Sequence, residues 1–182
     1  MRVLVAYATR HGSTTGIAER VAAGLRAAGV DAEARPVGQV RNLDGYEGVV
    51  VGGAAYMFHW LRDATAFVHK HRQRLSELPV WLFSSGPLGT DAVDAQGRSV
   101  FEALRPQEWA VLPGLIGSRG ERVFRGAWDA GARPIGLGER MLRFMPKARA
   151  AMPVGDFRDW PEIDAWAAEI AAALHDDGAD AA

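Results

Sequence analysis

The chain has no cysteine among its 182 residues, which excludes disulfides, a thiolate nucleophile and any cysteine-ligated zinc or iron–sulfur centre. If this protein moves electrons, a bound organic cofactor must carry them. No apolar run is long enough to span a membrane, and the opening MRVLVAYATRHG lacks the small-residue cleavage site of a secretory signal. The expected location is therefore cytoplasmic. No internal repeat, low-complexity tract or linker is visible, so one domain over 1–175 with a polar tail at 176–182 is expected. The net charge is only −1, but it is unevenly spread. The local balance is +1 over residues 1–118, +5 over 119–149 and −7 over 150–182.

The apolar residues are arranged in strand-like and helix-like runs that alternate. Residues 2–8 read as a buried strand feeding a small-polar loop, and Ile17, Val21, Leu25 and Ala28 follow at helical spacing, stopped by Gly29. A second strand is expected over Val30–Val37 and a third over Gly48–Ala54, with a helix at 61–75. The fourth strand is Pro79–Ser85, a short helix falls near 98–104, and a fifth strand is expected at Glu121–Trp128. Gly138–Met145 reads as a helix ended by Pro146, and Trp160–Leu174 as the closing helix, with Pro161 in its first turn. Strands alternating with helices imply a parallel sheet covered on both faces, with right-handed crossovers. Ligands in such a sheet bind beyond the carboxyl ends of the strands, which here means the loops after strands one, three and four.

The first loop, Thr9-Arg10-His11-Gly12-Ser13-Thr14, opens a helix N-terminus, where unpaired N–H groups favour an anion. It lacks the lysine of a P-loop and the G-x-G-x-x-G of a dinucleotide fold, so it reads as a phosphate cradle for neither ATP nor NAD. The third-strand loop, with Ala54, Ala55, Tyr56, Met57, Phe58, His59 and Trp60, mixes small residues with aromatics on which a planar ring could stack. Tyr56 is favoured over Trp60 for that role, with Phe58 or Trp60 capping the core as the alternative. Ser84, Ser85, Gly86, Pro87, Leu88 and Gly89 form the third loop, rich in small residues with accessible backbone. His11 and His59 fall in these loops as candidate proton relays or as solvated side chains, and His69 and His71 face apart on a helix, which argues against a metal. No catalytic side chain is identifiable, and no metal site is expected.

The segment YATRHGSTTGIAE closely resembles the FMN-phosphate loop of flavodoxins and flavodoxin-domain proteins. That resemblance implies a flavodoxin-like three-layer sandwich around a five-stranded parallel sheet of order 2-1-3-4-5, with FMN as cofactor. It assigns the phosphate to Thr9–Thr14 and the ring to Ala54–Met57, Trp60 and Ser84–Gly89. Over nearly the whole chain the pattern is similar to flavodoxin-type, menaquinone-dependent protoporphyrinogen oxidases. The similarity includes the helix FVHKHRQRL before a Pro-led strand, the segment ERMLRFM and the ending DWPEIDAWA. It implies oxidation of protoporphyrinogen IX, with electrons passed to menaquinone, in haem biosynthesis. The stretch Thr90–Gly97 departs from that family, being short and acidic where the family has a long basic region.

Arg119, Arg122, Arg125, Arg133, Arg140, Arg143, Lys147 and Arg149 lie beside Met141, Leu142, Phe144 and Met145. This stretch is a candidate surface for porphyrin carboxylates or for peripheral contact with the inner face of the cell membrane. Its alternative reading is an ordinary amphipathic helix with solvated arginines, Ala148 included on the apolar face. The rival functions are an electron-carrier flavodoxin docking with a redox partner protein, a quinone reductase fed by NAD(P)H, and a deazaflavin binder. Nucleic-acid binding is not expected, because aromatic platforms are not interleaved with the arginines.

Overall fold

A computed structural model describes residues 1–129, 131 and 153–180. Five parallel strands form the central sheet: β1 (Arg2–Ala8), β2 (Asp31–Pro36), β3 (Gly48–Tyr56), β5 (Val80–Ser85) and β6 (Gly120–Phe124). Their order is β2-β1-β3-β5-β6, and a two-residue strand β4 (His59–Trp60) folds back antiparallel on the end of β3. Apart from that hairpin, the order is the expected 2-1-3-4-5.

β1, β3 and β5 are buried along nearly their whole length, which is why each reads in sequence as a continuous apolar run rather than an alternation. Helices α1 (Ser13–Ala27) and α5 (Trp160–Asp180) cover one face, packing Ile17, Val21, Leu25, Ile163, Trp166 and Ile170 against Val3, Val5, Val50 and Phe83. The other face is covered by α2 (Arg62–Leu75) and the short α4 (Leu112–Ile116). There Phe67, Val68, Leu75, Leu112 and Ile116 meet Leu4, Val49, Val51 and Leu82. A single turn, α3 (Val100–Ala103), precedes α4.

Two expected elements end elsewhere. The fifth strand leaves the sheet at Phe124, because the amide of Gly126 bonds to Pro87 O at 2.9 Å instead of continuing the ladder. Ala127–Trp128 then forms a separate strand β7, paired antiparallel with β8 (Gly155–Asp156). The closing helix runs on to Asp180 rather than stopping at Leu174. His175 Nε2 lies 3.0 Å from Ala28 O, and Asp177 pairs with Arg119, which anchors the extra turn. The expected helix at 138–145 and Pro146 lie outside the described residues. Among the described residues, no helix is long and apolar enough to cross a membrane.

Candidate functional site

Register brings the three loops to one end of the sheet. Ala8 stands opposite Gly53, Gly53 opposite Ser84, and Ser85 opposite Phe124, so the chain leaves β1, β3, β5 and β6 at nearly the same level.

The β1–α1 loop is built on Gly12, which caps α1 at φ 84° and ψ −10°. Open space surrounds the position a Cβ would occupy there, so the left-handed backbone, not crowding, is what calls for glycine. The Gly12 N–H donates to Thr9 Oγ1 at 3.1 Å, which curls the loop. No side chain caps α1 among the described residues, and its first turn carries no acidic residue. The opening amides therefore face outward as donors, an arrangement suited to a phosphate.

The hydroxyls in this loop have structural partners. Thr14 Oγ1 and Ser85 Oγ share a buried hydrogen bond of 2.7 Å that ties the helix to the end of β5. Ser13 Oγ accepts the N–H of Ala127 at 2.9 Å. Each hydroxyl can serve as both donor and acceptor, so Ser13 keeps a proton for an anion while bracing the loop.

In the second loop, Tyr56 ends β3, half-buried, with the Arg10 guanidinium 5.0 Å from its ring centroid. The turn at Met57 and Phe58 has φ of 49° and 67°, values that L-residues adopt at a cost, and it leaves Met57 87% exposed. Trp60 is pulled away from this surface. It is 2% exposed, its Nε1–H donates to Gly53 O at 3.0 Å, and its ring meets Trp109 edge-on at 5.8 Å. The hairpin that pairs Ala55 with Trp60 turns the indole into the core and leaves Tyr56 and the exposed Phe58 as the accessible six-membered aromatic rings of this loop.

The hairpin is tethered from outside. Gln107 N–H donates to Phe58 O at 2.9 Å, while Glu108 accepts the Trp60 N–H at 2.9 Å and sits 3.0 Å from His59 Nδ1. Burial pushes the Glu108 carboxyl up, but the donors from Trp60, its own backbone and His59 outweigh it and hold it below the usual range. His59 thus faces Glu108 at the hairpin's edge. His11 packs edge-on against Trp128 at 5.2 Å. His69 is exposed on α2, whereas His71 is half-buried against Phe67, and burial followed by the Lys70 charge pushes it down. Among the described residues, no cluster suited to a metal exists.

The third loop divides. Ser85 faces α1, and the pleat turns Ser84 to the opposite face, where its hydroxyl is buried with no partner among the described residues. The Gly86 N–H is taken by Phe124 O at 3.2 Å. Pro87 is buried, while Leu88 and Gly89, the latter at φ 86°, carry the open part of the loop. Arg125 holds this stretch in place by donating to the carbonyls of Gly89, Thr90 and Asp91, and its guanidinium lies 5.1 Å from the Phe101 ring.

Among the described residues, two clefts lie away from this loop cluster. One, of about 280 Å³, runs along β6 between Phe101 and Glu162, and the other, of about 330 Å³, lies beside Arg2 and Tyr46.

Three segments, residues 9–14, 54–57 and 85–89, thus converge around a surface with a phosphate-suited helix start at one side and an aromatic ring at the other. Residues 4–124 match the flavodoxin domain. The chain belongs to the flavodoxin-domain family. It is accordingly an FMN-binding redox protein.

Over 189 aligned residues this flavodoxin-domain chain is 25% identical to protoporphyrinogen IX dehydrogenase (quinone) of Escherichia coli K12, covering 94% of this chain and 95% of that one. The protein of the same name from E. coli O157:H7 matches to the same extent. Among solved structures, it resembles a flavodoxin from the domain Archaea at 15% identity and TM-score 0.51, covering 82% of this chain and 92% of that one. A cysteine-to-serine mutant of a Pseudomonas aeruginosa flavodoxin aligns at 17% identity and TM-score 0.51, over 84% and 99% of the two chains. These likenesses concern the fold.

Sequence reasoning missed the part of the site supplied by the chain after β6. Gly126 runs against Ser13 Oγ, Leu88 and the Gly86 amide, where a Cβ would sit 3.4 Å from the hydroxyl. Trp128 meets His11, and Arg158 donates to Ser13 O at 3.3 Å. A glycine inside an otherwise strand-like run was the available signal for the first of these.

Of the basic stretch, the three described arginines are engaged in the fold. Arg119 pairs with Asp177 and lies over Trp81, Arg122 pairs with Glu169 at 3.0 Å, and Arg125 holds the third loop. Arg133, Arg140, Arg143, Lys147, Arg149 and the neighbouring Met141, Leu142, Phe144, Met145 and Ala148 lie outside the described residues.

Proposed function

We propose that this chain is an FMN-dependent dehydrogenase that oxidises protoporphyrinogen IX and passes the electrons to a quinone, menaquinone in the first instance. The observation that carries the reading is the similarity to the E. coli dehydrogenase, which spans 94% of this chain and so continues well past the flavodoxin match at 4–124.

Bound FMN would supply the redox chemistry, accepting reducing equivalents from the substrate and releasing them to the acceptor. The chain's task is to bind and orient. The amides opening α1 and the hydroxyls of Thr9 and Ser13 would hold the phosphate, with Thr14 and Ser85 fixing that loop to the sheet. Ala54, Ala55, Tyr56 and Met57 would lie along one side of the ring. The backbone at Leu88 and Gly89, positioned by Arg125, would face its polar edge, where donors stabilise negative charge on the reduced ring. Trp60 and Ser84 support these loops from behind. No side chain here is assigned as a general base.

The test is anaerobic. Protoporphyrinogen is offered to the FMN-loaded chain with a menaquinone analogue, and porphyrin fluorescence is followed. A rise that requires both flavin and quinone supports the dehydrogenase. A stoichiometric flavin spectrum without turnover refutes it in favour of an electron carrier or another quinone-linked reaction.

A further inference from the structure

Arg158 sits where helix electrostatics disfavour a cation. Its guanidinium lies against the first turn of α1, with Nη1 donating to Ser13 O at 3.3 Å, and a Cβ on Gly16 would run into that same nitrogen. On its other side it stacks over Trp160, 4.4 Å from the ring centroid. Asp156 grips its edge, accepting from Nε at 2.8 Å and from Nη2 at 2.6 Å. The side chain is only 17% exposed.

A helix start already carries partial positive charge, and basic side chains are favourable at the opposite end. The first turn of α1 holds no acidic residue, and the single carboxylate beside Arg158 balances the guanidinium alone. Among the described residues, the first turn of α1 supplies no acidic side chain to compensate the helix's positive end. Placing an arginine there is favourable when a strongly charged anion occupies the outer side of the turn. Arg158 also fixes the peptide unit between Ser13 and Thr14. Because C=O and N–H point in opposite directions across a trans peptide, holding Ser13 O toward Arg158 aims the Thr14 N–H outward from the helix start.

We infer that Arg158 is a positioning residue that makes the β1–α1 loop selective for a doubly ionised phosphate monoester, and thereby for FMN over its dephosphorylated form, riboflavin. This rests on the placement of the FMN phosphate at that loop. No contact between Arg158 and the phosphate is required: it acts through the Ser13 peptide and through its charge. Asp156 moderates that charge, while Gly16 and Trp160 form the slot that holds the guanidinium flat.

The test titrates FMN and riboflavin separately into the flavin-free full chain, following quenching of flavin fluorescence. Arg158→Met is expected to weaken FMN by about tenfold or more and to leave riboflavin nearly unchanged. Arg158→Lys restores part of the loss. Asp156→Asn, which leaves the arginine's charge unopposed, keeps or increases the preference for FMN.

In the wild type the preference falls as pH drops through the second ionisation of the phosphate, near pH ~6, and this dependence flattens in Arg158→Met. Should Arg158→Met fail to fold, Gly16→Ala displaces the guanidinium while keeping it in the chain, and the same loss of preference is expected. An equal loss for both flavins, or an Asp156→Asn variant that behaves like Arg158→Met, overturns the inference and makes Arg158 a brace. A wild-type chain that binds riboflavin as tightly as FMN also overturns it, whereas one that binds neither refutes the FMN reading itself.

Discussion

Removing one hydroxyl from the buried pair between Thr14 and Ser85 should cost more than removing both. Thr14 is fully buried, Ser85 is 3% exposed, and their oxygens lie 2.7 Å apart. Thr14→Val preserves the branched shape but strands the Ser85 hydroxyl away from water. A buried polar group deprived of its partner costs about 1–3 kcal/mol. For a chain of this size each kcal/mol corresponds to about 2–4 °C, so the melting temperature should fall by roughly 2–12 °C. Ser85→Ala strands Thr14 and should cost a similar amount. The double variant leaves neither hydroxyl behind and should return to within about 1 kcal/mol of the wild type. Urea unfolding of the four proteins without added flavin gives the coupling energy directly. A double variant as unstable as the sum of the two singles would refute the reasoning, since the hydroxyls would then act independently.

Three further perturbations address other parts of the fold. Glu108→Gln should destabilise by about 1–2 kcal/mol at pH 7. Because the folded carboxyl titrates below its usual range, its contribution is present above the unfolded-state value and disappears as pH falls through the folded one. Paired urea melts at pH 7 and pH 3 should therefore show the difference at the first and a much smaller one at the second. Phe58→Gly, at φ 67°, should raise stability by about 1 kcal/mol by relieving a left-handed conformation; a fall in melting temperature would show that the side chain contributes more than the backbone loses. Gly52→Ala drives a methyl group into the Phe83 ring and should cost about 1–3 kcal/mol, measurable by calorimetry and contradicted by an unchanged transition.

The central strands were legible because burial on both faces writes itself as an unbroken apolar run, as in Val49–Val51 and Val80–Phe83. The phosphate-suited loop was legible because hydroxyls and a glycine at a strand-to-helix junction have few other uses. Non-local pairing was not. Ala127 and Trp128 look like a continuation of β6, and only their partners at Gly155 and Asp156, far along the chain, remove them from the sheet. Trp60 in the core was one of two readings of its loop, but the hairpin that puts it there was hidden, since the turn at Met57-Phe58 carries no glycine or asparagine to announce one. The last turn of α5 depends on Arg119 and Ala28, contacts that no local helix propensity encodes. Arg158 was invisible as a site residue for the same reason, lying 145 positions from the carbonyl it holds.

The small β7–β8 ribbon stands apart from the ladder of the main sheet. Trp128 and Gly155 face each other across an antiparallel pair, so the chain departs and returns within about 5 Å, next to the loops that leave β1 and β5 but outside the parallel sheet. The ribbon's pairing is with itself and its ties are to the loops, through Ala127 N–H to Ser13 Oγ and Gly126 N–H to Pro87 O, so it braces the ends of two strands without being a strand of their sheet.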